Sequence, residues 1–342
     1  MIGGTFMIVT AVVTARGEGK MLTMIAAVAA LAAGTPAAAQ SWPSRPLTMV
    51  VPFGAGGATD VMARTLAPRL AELLGQQVIV ENVTGAGGMT GVARVAKAPP
   101  DGYQLALGNA GTQAVSQTLY KQPAYNSLTD LAPVGMLTQQ FFVLITRKDL
   151  PAATLPEFIA YAKANQAKLQ YASAGVGSTS HMICVQLNTV MGTTITHLPY
   201  RSTTIAMPDM MAGRIDFICD AIETATPHIQ GGSVKAIAVL APRRSAVLPD
   251  IATASEQGVA DLALPGWYGL FLPKGTPDAI VHRLSSAASE AVDTPSVRAR
   301  IEGLGINMVP PQERTPEFLL SFLPAEIKKW AAPIKASGLS IE

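Results

Sequence analysis

Two glycine-bearing loops carry the residues best suited to holding a small anion. The first, Val51-Pro52-Phe53-Gly54-Ala55-Gly56-Gly57-Ala58-Thr59-Asp60, stands between an apolar run of strand character and a helical pattern. Glycine lets the backbone approach a ligand, and the first N–H groups of a following helix lack internal partners, so a carboxylate or other anion is favoured there. Thr59 or Asp60 is placed to cap that helix, and a capping Asp60 is structural rather than ligating. The second loop, Ser173-Ala174-Gly175-Val176-Gly177-Ser178-Thr179-Ser180-His181, repeats the arrangement with hydroxyls added. Neither loop contains Lys or Arg, so recognition rests on N–H and hydroxyl donors, each charge-assisted bond contributing about 1.5–3 kcal/mol. Either loop alone reads equally well as a plain strand-to-helix turn. The pair points to a ligand gripped from two sides.

Other chemistries fit less well. A dinucleotide fingerprint needs a third glycine, but Gly54-x-Gly56 leads to Thr59, Gly175-x-Gly177 to Ser180 and Gly85-x-Gly87 to Thr90. No Lys-Ser/Thr ending follows a glycine run, which argues against nucleotide hydrolysis. Ser178, His181 and Asp220 leave an exported serine hydrolase as the enzymatic alternative, without the Gly-x-Ser-x-Gly elbow. His181, His197, His228 and His282 show no metal-ligand spacing. The expectation is therefore no catalytic residue, no cofactor and no metal.

The elements that must position these loops alternate between β-rich runs and helical stretches, which predicts an α/β fold with parallel sheets covered by helices. Strands are expected at 47–51, 78–81, 105–108, 143–146, 169–172, 195–199, 215–219 and 234–240, near-continuously apolar and so buried on both faces. Helices are expected at 60–74, 90–98, 155–165, 180–190, 203–212, 277–292 and 316–336. Thr154 with Glu157 spells a capping box, Thr276-Pro277 and Thr315-Pro316 place a cap ahead of proline, and Pro68 predicts a kink in the first helix.

The chain has 342 residues, 49% of them hydrophobic, and a net charge of +2, which suits about two domains and gives no basic surface for nucleic acid. Lys20 precedes the apolar run Met21–Ala33, too short to span a bilayer, and Ala37-Ala38-Ala39 follows as a small-residue cleavage signal. A secretory leader at 1–39 and a mature chain from near Gln40 are expected, whether translation starts at Met1 or Met21. Export would place Cys184 and Cys219 in an oxidising compartment; a disulfide and two buried thiols both remain open.

A series of motifs resembles the Bug-type receptors, the extracytoplasmic solute receptors of tripartite tricarboxylate transporters. It runs through Trp42-Pro43-Ser44-Arg45-Pro46, the Pro52 to Asp60 loop, Glu81-Asn82 with Gly85-Ala86-Gly87-Gly88, and Pro99-Pro100-Asp101-Gly102-Tyr103. It continues through Gly177-Ser178-x-x-His181, Pro199-Tyr200-Arg201, Trp267-Tyr268-Gly269-Leu270 and Pro273-x-Gly275-Thr276-Pro277. The resemblance implies a two-lobed type II periplasmic-binding-protein fold with a ligand cleft, one lobe formed by 44–144 with 266–342 and the other by 145–265. It implies a monomeric periplasmic receptor that hands a small carboxylate to membrane permease subunits, or a sensor subunit serving a signalling partner. Family ligand contacts carry over to Phe53, Gly56, Gly57, Ala58, Thr59 and Asp60, to Asn109 and Thr112, to Gly175, Gly177, Ser178 and Thr179, and to Tyr200, Arg201, Ser202 and Asp220. Ser202 stands where many relatives have glycine, and Asp209-Met210-Met211 replaces an Asp-Leu-Leu-like helix end, which points to a distinct ligand preference. Arg201 reads equally as a partner for a second carboxylate or as a solvated side chain.

Overall fold

The computed structural model describes residues 42–342; the expected leader lies outside them. Residues 43–342 are built on two sheets, each with helices packed against it. With strands β1 (Leu47–Val51), β2 (Val78–Asn82), β3 (Gln104–Asn109), β4 (Leu131–Gln140), β10 (Gly266–Pro273) and β11 (Asn307–Met308), the first sheet has the order β11-β4-β10-β3-β1-β2. The second contains β5 (Phe142–Arg147), β6 (Gln170–Ser173), β7 (Thr196–Pro199), β8 (Phe217–Ala221) and β9 (Val234–Val239), in the order β7-β6-β8-β5-β9. The fold is the two-lobed α/β arrangement, and its sheets are mixed rather than purely parallel. β1 runs parallel to β2 and β3, while β10 is antiparallel to β3 and β4. β6 runs parallel to β7 and β8, while β5 is antiparallel to β8 and β9.

The antiparallel strands arise where the chain crosses between sheets. Only Phe141 separates β4 from β5, and residues 240–265 carry the chain back from β9 to β10. Burial on both faces accounts for the apolar strands: in β5, Phe142 and Leu144 join one hydrophobic cluster while Val143 and Ile145 join another.

All eight expected strands form within two residues of their expected ends, and three more appear: β4, β10 and β11. Pro133 and Gly135 disguise β4, whose pairing with β10 accommodates them through register shifts. The expected helices form as well, at Ala58–Leu74, Met89–Ala96, Leu155–Asn165, Thr179–Met191, Thr203–Met211, Asp278–Asp293 and Pro316–Ser337. The first continues through Pro68 to Leu74. Unforeseen helices occupy Ser116–Leu119, Ile222–Gln230 and Pro295–Gly303, the second containing Pro227. The capping box of Thr154 and Glu157 and the cap of Thr315 are present. Thr276 is not a cap; its hydroxyl donates to Pro273 O at 2.8 Å instead.

Cys184 and Cys219 form a disulfide with Cα atoms 5.7 Å apart, and both are fully buried. It ties the helix that follows the second glycine loop to β8, directly beside Asp220. Closing a loop of 35 residues removes unfolded-state entropy worth about 4 kcal/mol.

Candidate functional site

The two lobes meet around a small cavity. The first sheet and its loops contribute Phe53, Gly57, Ala58, Thr59, Asn109 and Gln140; the second sheet and its loops contribute Phe142, Ala174, Ser178, Thr179, Ser180, Ser202, Thr203, Asp220 and Ala221. No Lys, Arg or His is among these residues. Four helices of nine residues or more begin at this wall, at Ala58, Thr179, Thr203 and Ile222. Their first-turn N–H groups and dipoles give the cavity positive potential without a cation. The helix from Ala58 has Gly57 at its N-cap and no side-chain cap, so N–H donors at its start stay open to a ligand.

Several hydroxyls are already engaged. Ser178 Oγ accepts from His181 N–H at 3.3 Å, and Ser202 Oγ accepts from Ile205 N–H at 3.4 Å, so both cap their helices. Thr179 Oγ1 accepts from Gly111 N–H at 3.0 Å across the lobe junction. Asn109 Oδ1 accepts from Thr112 N–H at 3.1 Å, which leaves its Nδ2 as the donor for the cavity.

Asp220, at the end of β8, is fully buried. Its Oδ1 accepts from Ala221 N–H at 2.9 Å and from Thr224 Oγ1 at 3.0 Å, while Oδ2 has no hydrogen bond of normal geometry. Burial pushes its pKa up to about 6 against the opposing pull of Thr203, Thr224 and Ala221 N–H. One turn on, Glu223 Oε1 accepts from Gln140 Nε2 at 2.8 Å and from the Tyr268 hydroxyl at 2.9 Å, which ties the second lobe to β4 and β10 of the first. Burial raises Glu223 to about 7, with Asp220 adding to the rise.

Of the residues expected at the site, Phe53, Gly57, Ala58, Thr59, Asn109, Ser178, Thr179 and Asp220 line this cavity, together with Ser202. The remainder lie around it. Asp60 is buried and engaged with Gly56 N–H, Arg64 and Asn82. Burial alone would raise its pKa, but the bonds from Arg64, Gly56 N–H and Asn82 hold it below the usual value. It braces the loop but does not cap the helix as expected of Thr59 or Asp60: the cap position is Gly57, with no side-chain cap. Gly56, at φ +74°, accepts through its carbonyl from Thr204 Oγ1 at 3.0 Å. Thr112 belongs to the turn with Asn109, and Gly177 N–H donates to His181 Nδ1 at 3.2 Å. Gly175, Tyr200 and Arg201 line a second cavity with Gly85–Gly88, which shares Phe53 and Ala174 with the first. Arg201 pairs with no carboxylate among the described residues.

Gln140, Phe142, Thr203 and Ala221 belong to the wall without having been singled out. Thr203 was signalled by Ser202-Thr203-Thr204 at a helix start. Gln140 and Phe142 lie at the concealed crossing.

The hydrolase constellation is not assembled. Ser178 Oγ meets the backbone of His181, whose ring stacks on His197 at 4.0 Å between centroids. Burial, then the neighbouring His197, lowers His181 to about 3. Among the described residues there is no cluster able to hold a metal ion, and no helix is long and apolar enough to cross a membrane.

Residues 62–339 match the tripartite tricarboxylate transporter family receptor. A UPF0065 protein of Agrobacterium vitis, from the TAR-I ttuE-ttuC' intergenic region, is 39% identical over 88% of this chain and 87% of its own length. The periplasmic binding protein BugD is 36% identical with a TM-score of 0.85, covering 88% of this chain and all of BugD. MatC of Rhodopseudomonas palustris, solved with bound malate, is 38% identical with a TM-score of 0.83, covering 86% of this chain and all of MatC. The match over most of the chain, on the fold and cleft described above, means that this protein belongs to the tripartite tricarboxylate transporter receptor family.

Proposed function

We propose that the protein captures a small mono- or dicarboxylate in the periplasm and delivers it to the membrane permease subunits of a tripartite tricarboxylate-type transporter. The observation that carries this reading is the convergence of four helix N-termini on a cavity whose wall has no cationic side chain. Such a wall solvates an anion through backbone donors and selects by shape rather than by ion pairing. The malate held by MatC fits the same chemistry. The lobes are taken as 44–144 with 266–342 and as 145–265, with β5 straddling the first boundary. The ligand contacts are the cavity-lining residues of the two glycine loops with Asn109 and Asp220, and Tyr200 and Arg201 serve ligands that extend into the second cavity.

The protein acts as a monomer, needs no cofactor and turns nothing over. Its leader is removed near Gln40, which N-terminal sequencing of the exported protein tests; a full-length chain in the membrane fraction would contradict it. Native mass spectrometry of protein purified without refolding, followed by calorimetry with malate, succinate and acetate, tests the binding role. Ester or amide turnover that disappears in Ser178→Ala would overturn it.

A further inference from the structure

The buried carboxyl of Asp220 is the group in the cavity wall that backbone donors do not explain. Its Oδ1 is occupied by Ala221 N–H and Thr224 Oγ1, whereas the buried Oδ2 lacks a hydrogen bond of normal geometry. The titratable groups facing it are Glu223 on the adjoining helix and Tyr268 on β10. The other elements at the wall bring Thr59, Gln140, Thr203 and Thr224, all uncharged, and no cation lines the cavity. A ligand carboxylate entering this space would place like charges side by side in a low-dielectric wall, where they do not both stay ionised.

We propose that Asp220 holds the ligand as a neutral carboxyl group, donating its proton in a hydrogen bond from Oδ2 to the ligand carboxylate, so that each binding event takes up a proton from solvent. The inference rests on the carboxylate reading above. The already raised pKa of Asp220, about 6 before any ligand charge is added, agrees with the direction. A protonated carboxyl in an apolar wall is a strong donor to an anion.

The test is calorimetry of malate, succinate and acetate at pH 7 in buffers of different ionisation enthalpy. Expected is net uptake of up to one proton per ligand bound, with affinity falling about tenfold per pH unit above pH 7. Asp220→Asn keeps the Oδ1 acceptor and puts an amide donor in place of Oδ2, so it should bind without proton uptake, independently of pH, and up to about a thousandfold more tightly than the unmodified protein at pH 9. Glu223→Gln should retain the uptake, because Glu223 does not line the cavity. Failure of all three acids to bind defeats the carboxylate reading and this inference with it. Binding without proton uptake, or uptake lost in Glu223→Gln, overturns the inference alone. The uptake is read on the unmodified protein, so a variant that misfolds does not remove the test.

Discussion

Gly111 N–H donates to Thr179 Oγ1 at 3.0 Å, joining the turn after β3 in one lobe to the start of a helix in the other. Thr179 also lines the cavity, so a single hydroxyl serves both lobe contact and ligand wall. Thr179→Val keeps the shape but strands a buried donor, at about 1–2 kcal/mol. Ligand affinity should fall about five- to thirtyfold, and ligand-induced compaction in small-angle scattering should shrink. Unchanged affinity in a folded variant would separate this contact from binding.

Gly57 approaches the opposite lobe closely. A Cβ there would lie 3.0 Å from Ser202 Cβ and 3.0 Å from Gly54 O. Gly57→Val should hold the lobes apart and weaken binding about ten- to a hundredfold, in line with overpacking costs of about 1–3 kcal/mol. Circular dichroism should show the fold intact. Native affinity in this variant would place the ligand elsewhere.

Glu223 offers a stability test with a definite sign. Its folded pKa, about 7, lies above the ordinary carboxylate value, so the native state binds the extra proton; this favours folding at low pH and is lost as pH rises through 7. Buried His181 and His197, lowered to about 3 and about 4, act in the opposite sense and lose stability as pH falls below about 6.5. Comparing Glu223→Gln with the unmodified protein isolates the acid. The amide keeps the two bonds to Oε1 and replaces Oε2, which has no partner. The variant should be about 1–3 kcal/mol more stable at pH 8 and equal below about pH 4 in urea unfolding. A variant destabilised at both pH values would show that the charge, not the proton, is what the site holds.

The disulfide should matter to the cleft as well as to the fold. Replacing Cys184 and Cys219 by alanine should cost about 2–4 kcal/mol in denaturant unfolding and weaken ligand binding, because it loosens Asp220 from the helix begun by Thr179. Since both sulfurs are buried, mild reductant should leave the native protein unchanged. Rapid reduction under native conditions would argue against this placement.

What the sequence made legible followed local rules. The Gly54–Asp60 and Gly175–His181 loops announce strand-to-helix turns in their own composition, and the helices after them start within two residues of the expected places. What stayed hidden depended on pairing at a distance. β4 forms through Pro133 and Gly135 because Val134 and Leu137 are extra residues that shift its register against β10, so its end at Gln140 and the crossing at Phe141 gave no local sign. The engaged state of Ser178 was likewise unreadable. A serine before a helix caps or ligates according to rotamer, and here it caps.

The crossing at Phe141 also sets a mechanical ratio. Gln140 and Phe142, on either side of it, are both part of the cavity wall, so a ligand held there would lie beside the fulcrum on which the two halves would turn. The second cavity, framed by Gly87 and Val176, has no wall residue from that crossing. A rotation of a few degrees about Phe141 would stretch contacts beside the fulcrum by little and displace the loops at the ends of the two arms by more. Occupancy of a small internal space would thereby be amplified into a change of outline that an outside surface can read.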